Sequence, residues 1–139
     1  QQRRAKTTTA RAIEWIEKPK EGPFFLWVHY FDPHYPYTPP APHDTHFGSD
    51  YTGPADGSLE HLLQVWGRGV PKIPLSQSDA QRLIDLYDGE IAYLDTQLGR
   101  LVDAVDAGGR DRDTMIVLIA DHGESLTEHD YLFDHGRLL

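Results

Sequence analysis

Chemistry in this chain concentrates where an apolar run gives way to acids and imidazoles, in "TMIVLIADHGESLTEHDYLFDHG", residues 114–136. Asp121 and His122 offer a carboxylate oxygen and an imidazole nitrogen, both good ligands for a divalent cation. Neighbouring residues can serve one ion only where the backbone turns sharply, and Gly123 permits such a turn. His135, set between Asp134 and Gly136, can swing back toward the same place. A second segment, "HYFDPHYPYTPP", ends another apolar run and carries Asp32 and His34. Taken alone, Asp121 reads as a turn or cap residue, His122 as a surface imidazole and His34 as a donor that orders a rigid Pro-rich turn. Convergence of the two segments on one edge is what favours ligation.

That convergence needs elements to deliver it. Thr7 to Thr9 offer N-cap hydroxyls for a helix through "ARAIEWIEK", stopped by Pro19 and Gly22. Phe24 to Phe31 are aromatic and β-branched and predict a buried strand, which Pro33, Pro36, Pro39 and Pro40 end. Residues 41–77 form a long excursion with a short helix in "SLEHLLQVW", a length typical of functional loops. From Ser78 to about Ala107, Leu83, Tyr87, Ile91, Leu94, Leu98, Leu101 and Val105 recur at helical spacing. Gly89 interrupts that stripe and permits a bend, while Gly108 and Gly109 stop the helix. "RDRD" is a turn, and Met115 to Ala120 predict a second strand, apolar on both faces as parallel strands are. The expected class is therefore α/β, with a mainly parallel sheet and a right-handed βαβ crossover. Both strands would then present their carboxyl ends, with Asp32, His34, Asp121, His122 and Glu124, at one sheet edge.

The other histidines weigh differently. His29 lies mid-strand and is assigned to packing, whereas His43, His46, His61 and His129 are assigned to surface loops. Tyr87, Tyr93 and Asp95 are explained by helix packing.

Composition narrows the field. With 13 Lys and Arg against 22 Asp and Glu, the 139 residues carry a formal charge of -9, which argues against nucleic-acid backbone binding. The absence of cysteine excludes disulfides, zinc–thiolate sites and a cysteine nucleophile within these residues. No apolar run approaches the roughly 20 residues that span a bilayer, so no membrane segment is expected.

"PFFLWVHYFDPHYPYTPP", "YDGEIAYLDTQLGRLVDAV" and "DTMIVLIADHGESLTEHDYLFDHG", in that order, resemble three consecutive landmarks of the sulfatases, in the alkaline-phosphatase-like superfamily. The resemblance implies a three-layer α/β/α sandwich, partial here, and hydrolysis of a sulfate or related phosphate ester. It implies that Asp121 and His122 bind a divalent metal, calcium first, with manganese or zinc as alternatives. It implies too that His34 and His135 act catalytically by contacting the sulfuryl or phosphoryl oxygens. The nucleophile motif of arylsulfatases, C/S-x-P-x-R, does not occur in this sequence. Residues 1–139 are thus expected to be a partial catalytic domain, its later portion, inactive in isolation and prone to self-association through uncovered surfaces. Rival readings are a phosphonate monoester or phosphodiester hydrolase of the same superfamily, and a non-catalytic binding remnant.

Overall fold

Apolar residues spaced three and four apart become helices in this chain, and among the described residues little else is regular. The computed structural model describes residues 3–109, 113–128 and 132–135. Among them are three helices, α1 (Ala5–Glu17), α2 (Leu59–Trp66) and α3 (Gln77–Ala107), and one isolated antiparallel bridge, Ser125 to Asp134. The chain divides into two compact units: Gln1–His34 with Ile91–Ile116, and Tyr35–Glu90 with Val117–Leu139.

In the first unit, α1 starts after Arg4, earlier than the threonines suggest, and without a side-chain cap. Thr9 lies inside the helix, fully buried, and shares a 2.8 Å hydrogen bond with the Tyr30 hydroxyl. The Lys6 N–H, one of the donors that a helix start leaves unsatisfied, donates to the Tyr93 hydroxyl at 3.0 Å. Ala5, Ala12 and Ile16 form the buried face, and the helix ends at Lys18 ahead of Pro19. Arg4 reaches the buried carboxylate of Asp32 at 3.5 Å.

The second unit holds the larger core, with Tyr37, Leu62, Leu83, Leu86 and Phe133 at its centre. Its helix α2 is capped at both ends. The Ser58 hydroxyl accepts from the His61 N–H at 3.1 Å, and Gly67 closes the helix in the left-handed region at φ 68°. Helix α3 buries Leu83, Leu86 and Glu90 here, and Tyr93, Gln97 and Val105 in the first unit. Across its middle the buried face is thus turned by one residue from the expected stripe, and Ile91 stands exposed. At the turned position Glu90 Oε1 accepts from the Thr38 N–H at 3.0 Å, which gives the inward carboxylate one backbone donor. Gly89 has a packing reason. A Cβ there would lie 2.5 Å from the His43 carbonyl oxygen, so glycine lets the 39–43 loop lie on the helix. Arg82 secures the same loop by donating to the Asp44 carbonyl at 3.1 Å.

The expected α/β sandwich with a parallel sheet and βαβ crossover is not what the chain adopts. Neither Phe24–Phe31 nor Met115–Ala120 enters a ladder among the described residues. Trp27 is 66% exposed and Val117 70% exposed. A strand needs partners for its backbone groups and cover for both apolar faces, and an apolar run specifies neither. Neither run forms a regular element among the described residues. His29, expected to pack mid-strand, is exposed for the same reason. The "RDRD" turn falls largely outside the described residues.

Two consequences are measurable. Leu62→Ala should cost this chain about 2–5 kcal/mol in urea unfolding, whereas Val117→Ser should stay within about 0.5 kcal/mol. Tyr37 supplies the second. Burial, followed by the charge of Glu124 and a hydrogen bond to it, pushes the Tyr37 phenol far above its ordinary 10.0. A group whose folded value is raised contributes stability below its unfolded value and loses it as pH climbs beyond. The urea midpoint of the wild type should therefore fall more steeply above pH 10.0 than that of Tyr37→Phe.

Candidate functional site

The short segment at residues 132–135 is held against the second unit by contacts of several kinds. The Trp66 indole N–H donates to the Leu132 carbonyl at 2.8 Å. Phe133 is fully buried and sits in the left-handed region at φ 50°, a backbone state that costs a phenylalanine about 1–2 kcal/mol. The buried Asp134 carboxylate pairs with Arg68, whose guanidinium lies over the Trp66 ring at 4.7 Å. The Ser125 N–H donates to the Asp134 carbonyl at 3.1 Å, laying this segment beside residues 124–126. His135 is thereby returned to Glu124.

Four side chains then form a connected line. The Tyr37 hydroxyl donates to Glu124 Oε2 at 2.9 Å, and Glu124 Oε1 meets His135 Nδ1 at 3.3 Å. The Glu124 side chain is only 5% exposed. The His135 ring stacks on His122, with centroids 4.0 Å apart and planes 25° from parallel. His122 is fixed in turn by its Nδ1, 2.8 Å from the Gly123 carbonyl oxygen. Its Nε2 faces Asp121 Oδ1 at 3.8 Å, and that oxygen also accepts from the His122 N–H at 3.1 Å.

These residues suit a metal in part. A carbonyl acceptor on Nδ1 sets the tautomer that leaves the lone pair on Nε2, as metal-binding histidines commonly require. Nε2 and the Asp121 carboxylate stand close enough to share one ion, and Asp121 is open to solvent. The donor set is short, however: among the described residues no group of three or more His, Asp or Glu is arranged to hold a metal.

Asp121, His122 and His135 are therefore brought together within one unit. His34 belongs to the other, where its ring lies 4.4 Å from that of Phe31 and its N–H donates to the Phe31 carbonyl at 3.0 Å. Among the described residues, the common sheet edge expected to unite them is absent, since the strands are. His61, assigned to the surface, is buried on α2, and His129 lies outside the described residues. Tyr37 is the member that sequence reasoning missed, and Glu124 was placed beside Asp121 and His122 without its partners Tyr37 and His135. A carboxylate two residues past an Asp-His pair and eleven before a histidine was the available signal for Glu124.

Comparison with known proteins gives this cluster a context. A sulfatase family model matches residues 2–137. The chain is 29% identical to human iduronate 2-sulfatase over 144 residues, covering 89% of this chain and 26% of that protein. It is 27% identical to the multifunctional alkaline phosphatase superfamily protein PehA of Trinickia caryophylli, covering 89% of this chain and 28% of that protein. With an arylsulfatase of Klebsiella aerogenes the identity is 26%, over 84% of this chain and 29% of the relative. The chain thus spans about a quarter of the length of these relatives. No solved structure matches it significantly. Since the family match runs through nearly every residue, this chain belongs to the sulfatase family.

Proposed function

We propose that this chain carries part of the active site of a metal-dependent hydrolase of sulfuric esters. The observation that carries the reading is His122, whose Nδ1 is tied to the Gly123 carbonyl while Nε2 faces the Asp121 carboxylate, with His135 stacked alongside. Asp121 and His122 would hold the cation, calcium first among candidates, with manganese or zinc as alternatives. A cation there would supply charge withdrawal from the ester oxygens. His135 would contact and neutralise non-bridging or leaving oxygens, a role that the family resemblance extends to His34. No C/S-x-P-x-R stretch lies within these residues, so they supply no nucleophile of that kind.

Similarity to PehA, named as a multifunctional member of the alkaline phosphatase superfamily, supports a second reading as a phosphonate monoester or phosphodiester hydrolase. Asp121 and His122 serve either, because both ester classes develop charge on oxygens that a cation can stabilise. Among the described residues, no helix is long and apolar enough to cross a membrane.

The test uses a longer protein containing this chain and a C/S-x-P-x-R segment, assayed with an aryl sulfate and an aryl phosphonate. Chelation should abolish turnover and calcium restore it, and Asp121→Ala or His122→Ala should lower kcat/KM by roughly 100-fold or more. Turnover of neither ester after metal addition refutes the hydrolase reading, and a preference for the phosphonate selects the second one. The 139 residues alone should hydrolyse neither ester. With Trp27 and Val117 exposed, the isolated chain should also self-associate, which light scattering at rising concentration would register.

A further inference from the structure

Glu124 has no part in the proposed metal pair, yet it is the least exposed acid of the cluster and the one joined to the core. Its side chain is 5% exposed, and a carboxylate kept there must be satisfied by donors. One donor is the Tyr37 hydroxyl at 2.9 Å. Tyr37 is itself immobilised, fully buried and packed edge-on against Tyr87 at 5.4 Å and Phe133 at 6.2 Å. The other contact is His135 Nδ1 at 3.3 Å.

We infer that Glu124 is a positioning residue that holds His135 as its Nδ1–H tautomer, with the ring lone pair on Nε2. An ionised carboxylate only accepts, so the imidazole nitrogen that faces it must donate. Its other oxygen already takes the Tyr37 proton, which fixes the carboxylate's plane against the core. The imidazole plane follows, and the 4.0 Å stack passes that orientation on to His122. A chain of contacts running outward from a buried phenol thus sets how both histidines are presented. The inference deepens the proposed function, resting on it only for what Nε2 then does: it becomes the atom of His135 that meets an ester oxygen.

The experiment is long-range proton–nitrogen correlation on the 15N-histidine-labelled chain, in metal-free buffer at mildly alkaline pH, where ring tautomers give distinct patterns. His135 should show a protonated Nδ1 in the wild type and move predominantly to the Nε2–H form, preferred by unconstrained imidazole, in E124A. E124Q, which keeps a carbonyl acceptor, should restore the Nδ1–H pattern. His122, tied to the Gly123 carbonyl, should remain Nδ1–H throughout and so report an intact fold. An E124A pattern identical to the wild type overturns the inference. So does a wild-type His135 with a protonated Nε2, which decides the matter even if E124A does not fold. A tautomer change in this chain, with neither ester turned over by the longer protein after metal addition, would refute the proposed function and leave the positioning role standing.

Discussion

Burial of one aromatic ring in an unfavourable backbone state organises the second unit. Phe133 adopts φ 50°, which its Cβ disfavours, and its side chain is fully enclosed among Tyr37, Leu62, Leu83 and Leu86. Hydrophobic burial of a phenylalanine is worth about 1.5–3 kcal/mol, enough to offset a left-handed residue. Because that ring anchors the segment, the residues on either side are delivered in fixed directions. Leu132 meets the Trp66 indole, Asp134 meets Arg68, and His135 is turned onto Glu124. Without the anchor, a histidine eleven residues beyond Glu124 would have no reason to return to it.

The cluster that results combines buried and open members. Tyr37 and Glu124 are enclosed, His135 is partly covered, and His122 and Asp121 face solvent. Such a gradient suits a site that must hold geometry at its base while admitting an ion and an anion at its mouth. The hydrogen bonds follow the same order. Each inner group fixes the next one out, so the exposed imidazoles inherit an orientation that exposed side chains do not normally keep.

Legibility in the sequence tracked how local the deciding physics is. Ser58 and Gly67 bracket α2 by chemistry confined to a few residues, and the short helix expected in "SLEHLLQVW" forms there. The length of α3 was equally plain, but its buried face was not. That face depends on Thr38 and Lys6 satisfying Glu90 and Tyr93, contacts across 52 and 87 residues. The two apolar runs misled most: hydrophobicity says that a segment seeks cover, and nothing in Phe24–Phe31 or Met115–Ala120 names the partner. Asp121 with His122 was readable as a pair because the two are neighbours in the chain. Tyr37, in a proline-rich stretch, gave no sign that its hydroxyl would reach a carboxylate 87 residues away.

The open run Met115–Ala120 gives Asp121 a second occupation. Five consecutive large apolar residues with high β-propensity and no charge form a window of the kind that seeds intermolecular cross-β stacking. Asp113 and Asp121 bracket that window as gatekeepers, their like charges opposing the stacking of one copy on the next. The carboxylate proposed as a metal ligand thus also stands at the edge of the most exposed apolar run, where a negative charge opposes the close approach of another copy.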